Sequence, residues 1–140
     1  MIKRKIAVWI AYTKNRKILL QDRLSISKFG EEWSFFGGKL EPGETKEDAL
    51  KRELKEELNY NVSKFDFLGS FSKKYRNLKT NEMLDVTIYA FTTMIEEDKS
   101  LFEIHEGDGG EFFFIKDARK LKLGPQDQDI LDELDVFLAN

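Results

Sequence analysis

The stretch from Leu84 to Met94 reads as a strong strand: Val86, Ile88, Ala90 and Thr92 fall on one face, and Thr87, Tyr89, Phe91 and Thr93 on the other. The remaining elements are arranged around it. Ile6 to Thr13 reads as a strand, Lys14–Lys17 as a tight turn and Ile18 to Arg23 as the antiparallel partner. Ser25 to Glu32 is a polar loop, and Trp33 to Phe36 is a short apolar run that stops at Gly37-Gly38. Pro42-Gly43 marks a turn. A helix follows, with Thr45 as N-cap, Asp48 as its capping partner, and Ala49, Leu50, Leu54 and Leu58 as the buried stripe. Asn59, a residue that tolerates the left-handed conformation, should end it.

Val62 to Lys73 alternates weakly and suggests a strand, while Lys99 to Asp108 carries no clear pattern. Glu111 to Ile115 is a Phe-rich strand and Lys116 to Leu121 a short helical turn. Gln126 to Leu138 is an amphipathic helix carrying Ile130, Leu131, Leu134, Val136 and Leu138. Strands, helix, strands, helix, with two hairpins, imply an α/β fold: a mixed sheet between helices, an α/β/α sandwich. A length of 140 residues, with no linker or repeat, fits one domain over 1–140.

Composition narrows the function. The formal net charge is −3, so no global basic field draws in nucleic acid or an anionic membrane. Ile6 to Tyr12 is too short to span a bilayer. The absence of cysteine removes disulfides, Cys-ligated zinc and thiol catalysis, and fits a reducing cytoplasm.

The chemistry concentrates between Gly38 and Tyr60. Glu53, Glu56 and Glu57 are spaced i+3 and i+4 and project from one side of the helix. Two carboxylates ~6 Å apart in a partly desolvated cleft repel by roughly 3 kcal/mol. Such a cluster calls for a cation, and all-oxygen ligands favour Mg²⁺, Mn²⁺ or Ca²⁺ over zinc. The Gly38 carbonyl is a further candidate ligand, Lys39 a phosphate contact, and Arg52 a clamp on a carboxylate such as Glu44. Each piece alone has a plain reading: a solvated helix face, a turn, a surface ion pair.

Together, Gly38, Glu44, Arg52, Glu53, Leu54, Glu56 and Glu57 resemble the Nudix box at its fixed spacing. Two positions depart: Asn59 stands where the family has glycine, and Tyr60 where it has an aliphatic residue. Neither is a metal ligand. The resemblance, closest to MutT-like members, implies Mg²⁺-dependent hydrolysis of a nucleoside diphosphate linked to another group. A (d)NTP, oxidised purines included, cleaved to monophosphate and pyrophosphate is the leading substrate. Glu53, Glu56 and Glu57 with Gly38 would hold the metal, and one of the three glutamates would serve as base.

The resemblance also suggests residues outside the box, each with a plainer alternative. Glu111 resembles an acid that some members bring from a later strand, or is a surface glutamate at a strand start. Arg23 resembles a phosphate-contacting arginine, or is a strand-end charge. Asp127 resembles a residue set against the base edge, or caps the last helix. Phe35, Tyr89 and Phe113 could stack on a base, or lie in the core. Glu103 and Glu106 are weaker acid candidates, and His105 reads as exposed or lightly paired. Hydrolysis of ADP-ribose or a dinucleoside polyphosphate, and nucleotide binding without cleavage, are the alternatives. Silent members typically lack a box glutamate; here all three are present. The expected partner is a small nucleotide, with no membrane or nucleic acid.

Overall fold

The computed structural model describes residues 1–140. Seven strands form one mixed sheet. β1 (Ile2–Tyr12) is central: it runs parallel to β6 (Met83–Met94) along its whole length, from Ile2↔Leu84 to Tyr12↔Met94. β5 (Asp66–Arg76) pairs antiparallel with β6 and closes that edge. On the other side of β1, β2 (Lys17–Asp22) meets it only at Tyr12↔Ile18, and β4 (Phe36–Lys39) takes over from Ile6 to Trp9. β3 (Trp33–Ser34) and β7 (Gly110–Phe114) both pair with β2.

Helices cover both faces, as the order of elements implied. α1 (Lys46–Leu58) lays Ala49, Leu50, Leu54 and Leu58 on Ala7, Trp9, Leu19, Phe36 and Phe91. α3 (Asp127–Ala139) lays Ile130, Leu131 and Leu134 on the opposite face, over Val8, Ile10, Ile18, Leu20 and Val86. α2 (Ile115–Ala118) is the short turn after β7. The two-faced reading of β6 holds: Val86, Ile88 and Ala90 face α3, while Tyr89 and Phe91 face α1. No helix is long and apolar enough to cross a membrane.

Four expectations shift. β1 begins at Ile2, because exposed Lys3 and Lys5 alternate with the partly buried Ile2, Arg4 and Ile6, and the segment finds partners on β6. β5 begins at Asp66; Val62 is buried, but in the preceding loop. The run from Trp33 does not stop at the glycines: Gly37 and Gly38 pair with Val8 and Ala7 inside β4. Val136 is 56% exposed, two residues from buried Leu134 and therefore on the far side of a 3.6-residue turn.

The ends of α1 follow the local chemistry. Thr45 Oγ1 accepts from the Asp48 amide at 3.1 Å. Asn59 takes the left-handed conformation (φ 50°, ψ 38°). Its amide donates to Lys55 O at 3.1 Å, the 5→1 bond of a left-handed helix cap, and the Tyr60 amide donates to Leu54 O at 3.2 Å. Tyr60, in place of an aliphatic residue, packs its ring 5.1 Å from Trp9 and 5.2 Å from Phe102. Asn59→Ala should cost about 1–2 kcal/mol, because a Cβ without a local hydrogen bond is strained there, whereas Asn59→Gly should stay much closer to wild type. Urea unfolding of both variants checks this; equal stabilities would refute the strain argument.

Candidate active site

Two glycines in β4 set where α1 can lie. Gly37 has φ 152°, and a Cβ there would overlap the Ala7 carbonyl. A Cβ on Gly38 would overlap the Glu53 carboxylate. A larger residue at either place would push the strand from β1 or the helix from the strand. With hydrogen there, Glu53 rests on the Gly38 backbone and the Gly37 amide donates to Glu57 Oε2 at 3.3 Å.

Arg52 organises the outer side of the helix. Its Nε and Nη2 donate to the two oxygens of Glu44 at 2.8 and 2.9 Å, so the arginine does fork Glu44. Nη1 donates to Glu53 Oε1 at 2.8 Å and Nη2 to Lys39 O at 2.9 Å. The bond from Arg52 holds the Glu44 carboxyl down at about 2. Helix, glycine strand and the loop between them are thus tied by one guanidinium.

Glu57 is the most buried acid of the cluster, at 5% exposure. Burial, then the nearby charges of Glu106 and Glu53, push its carboxyl up to about 9. Glu106 arrives from a loop that runs along the end of α1. The Glu103 amide donates to Leu58 O at 2.9 Å and the His105 amide to Glu57 O at 2.7 Å, satisfying carbonyls that the helix leaves open. His105 is half exposed, its Nδ1 2.8 Å from Glu56 O and its Nε2 4.0 Å from Glu103.

These acids stand at one end of a cleft of about 550 Å³. Its apolar wall is Ile6, Val8, Leu84, Val86 and Ile88, with Arg4, Lys28, Lys39 and Lys79 among its polar lining. Asp127 also lines it, 3% exposed, with burial raising its carboxyl to about 6. Asp127 is the first residue of α3, but its side chain does not cap that helix. Its Oδ2 accepts from Ser34 Oγ at 2.7 Å and from the Gly124 amide at 2.8 Å, fixing the Gly124-Pro125 turn to β3. Gln126 beside it donates to Phe71 O at 2.8 Å and accepts from Tyr75 Oη at 3.1 Å, fastening the start of α3 to the sheet.

Arg23 lines the cleft too, its Nε 3.1 Å from Glu31. Burial alone would raise Glu31, but the Ser27 hydroxyl, the Phe29 amide and Arg23 outweigh it and hold it below its ordinary value. Glu31 therefore gathers the 27–31 loop around itself. Phe35 is 4% exposed and forms wall rather than a free stacking face. Phe113 packs edge-on against Trp33, and neither it nor Tyr89 lines the cleft.

Two expected acids lie apart. Glu111 is on the exposed side of β7, in an ion pair with Lys99 at 2.8 Å, and does not line the cleft. Its backbone pairs with Leu20 far enough along β2 that the preceding loop, not the strand, faces α1. Glu106 stands where Glu111 was expected; the glycines of Gly107-Asp108-Gly109-Gly110, which let that loop turn back, were the available sign. Glu56 is 61% exposed at 3.4 Å from Arg52. From Glu53, a step of four residues turns about 40° around the helix one way and a step of three about 60° the other, so Glu57 enters the cleft and Glu56 stays at its rim.

The geometry can be set beside known proteins. The E. coli CTP pyrophosphohydrolase is 27% identical over 126 residues, 90% of this chain and 85% of that protein. The 8-oxo-dGTP diphosphatase of Proteus vulgaris is 36% identical over 70 residues, half of this chain and 62% of that protein. The solution structure of the E. coli ORF135 protein superposes with a TM-score of 0.72 at 24% identity, covering 99% of this chain and 93% of that one, a likeness of fold. The NUDIX domain model matches residues 1–134, the whole span from β1 through most of α3, and the chain belongs to that family.

Proposed function

We propose that the chain hydrolyses a nucleoside triphosphate at its α–β anhydride, giving the monophosphate and pyrophosphate with Mg²⁺ as cofactor. The observation that carries this reading is the buried carboxyl of Glu57, crowded by Glu106 and Glu53 at the end of a nucleotide-sized cleft. The named activities of the two relatives, on CTP and 8-oxo-dGTP, point the same way.

The donor set fits a hard divalent cation. Glu53, Glu57 and Glu106 offer only oxygen, and the Glu53 carboxylate lies where a side chain on Gly38 would stand, so the backbone of Gly38 is close to it. The three carboxylates do not yet converge on one point: Glu53 is turned to Arg52 and Glu57 to Gly37, so holding a cation requires them to reorient. Glu56 stands ready at the rim as a further ligand. Bound there, Mg²⁺ would neutralise phosphate charge and acidify a water.

The chain supplies the rest. Lys39 and Arg23 take phosphate oxygens, and Asp127 presents its remaining oxygen, Oδ1, to a donor on the base edge. Glu53, steadied by Arg52, accepts the proton of the attacking water. The bridging P–O bond breaks and pyrophosphate departs with its electron pair.

Mg²⁺-dependent pyrophosphate release from a panel of standard and oxidised (d)NTPs tests the reading; turnover only of ADP-ribose or a dinucleoside polyphosphate would replace it. Glu57→Gln should lower kcat by at least about a hundredfold with circular dichroism unchanged. Asp127→Asn should cut kcat/KM for the preferred base by roughly tenfold or more, the worth of a charged hydrogen bond, and less for other bases. An equal loss on every base would mark Asp127 as structural only.

A pH dependence follows from Glu57. Its folded-state carboxyl is raised, so the stability of the metal-free protein is complete below about 4.5 and falls as pH climbs toward about 9. Glu57→Gln should flatten that fall, and Mg²⁺ should oppose it in the wild type. Thermal midpoints at about pH 5 and about pH 8 decide; superimposable profiles for wild type and variant would contradict the assignment.

A further inference from the structure

Gln21, on β2, is 1% exposed, and both ends of its amide are engaged. Its Oε1 accepts from Arg23 Nη1 at 2.7 Å, and its Nε2 donates to the Glu106 backbone carbonyl at 2.9 Å. It is therefore one side chain that touches both the arginine lining the cleft and the loop carrying the acid beside Glu57. The surroundings hold that loop to the same strand end. The Asp108 amide donates to Asp22 O at 3.0 Å, the Asp22 amide to Gly109 O at 2.9 Å, and the Ser25 amide to Asp108 Oδ2 at 3.0 Å. Gly107 has φ 78°, and a Cβ there would lie 3.1 Å from Gln21 Cγ and closer still to Asp22 O, so the loop lies directly on Gln21.

We propose that Gln21 is a positioning residue that sets Glu106 for the cation and Arg23 for the phosphates through the two ends of one buried amide. The proposal rests on the metal and nucleotide reading above. A glutamine suits the role because it donates at one end and accepts at the other. Neither a carboxylate nor an apolar side chain does both. Groups that orient metal ligands typically change metal affinity about 10–100-fold when removed.

Two variants separate the ends. Gln21→Met loses both bonds. Gln21→Glu keeps an acceptor for Arg23 and loses the donor to the Glu106 carbonyl. Mn²⁺ affinity is measured by electron paramagnetic resonance without nucleotide, and KM for the best triphosphate in saturating Mn²⁺. The expected result is a roughly tenfold weaker Mn²⁺ affinity in both variants, with KM raised in Gln21→Met and within about twofold of wild type in Gln21→Glu. Wild-type Mn²⁺ affinity in both, with only the melting temperature lowered, reduces Gln21 to a brace and overturns the proposal while leaving the site reading intact. A wild type that binds no Mn²⁺ removes the site reading and the proposal with it. Should either variant fail to fold, the side-chain amide resonance of Gln21 in the wild-type protein decides. It should shift with Mg²⁺ alone and again with nucleoside monophosphate alone; no shift with either overturns the proposal.

Discussion

The structure depends on the burial of one carboxyl group. Glu57 lies between α1 and β4 with the Gly37 amide as its partner and two other acids close by. A single acid in that position could be relieved by staying protonated. Three, of which one is pinned by arginine and one is carried on a separate loop, repel one another once ionised, and the proposed cation site rests on that crowding. The surrounding residues produce that crowding. The glycines of β4 let α1 approach, Arg52 keeps the helix and its preceding loop in register, and the Glu103–Glu106 segment uses the open carbonyls of the helix end to bring in the third acid.

The far end of the cleft is built by a different device. Asp127, Gln126, Ser34 and Glu31 come from three separated stretches and are held by hydrogen bonds to one another or to the backbone, while Arg23 pairs with Glu31 from the side of Gln21. All buried side-chain polar atoms have partners. Networks of this kind are worth keeping only when complete, since a half-satisfied buried group costs more than none. The sheet contributes Ile6, Val8, Leu84, Val86 and Ile88 as an apolar part of the cleft wall.

Local chemistry made much of this legible beforehand. The stripe of α1, the Thr45 cap, the left-handed Asn59 and the alternation of β6 are each decided by neighbours within a few residues, and each is where the sequence puts it. The Arg52–Glu44 clamp is likewise a matter of helix geometry and a short loop. What escaped depends on pairing between distant segments. Which glutamate of the 103–111 stretch faces α1 follows from the register of β7 on β2, Leu20 against Glu111, and no local pattern encodes that register. The role of Asp127 turns on Ser34, ninety-three positions away. Gln21, Glu31 and Gln126 carry no motif at all, and their importance comes from what the fold sets beside them.

The parallel pairing of β1 with β6 has a bearing on how the chain acquires its shape. Strand Ile2–Tyr12 must wait for Met83–Met94 before its backbone groups on that side are satisfied, and α1 with the β5 hairpin strand must be accommodated in between. Closing so long a loop is entropically slow, so the contact order of this single ladder sets a brake on folding. During synthesis the earliest-made strand would present an unpaired edge for most of the time the chain is being extended. Lys3, Arg4 and Lys5, which follow its first residue Ile2, place positive charge along that waiting strand, a composition that discourages two nascent copies from pairing with each other.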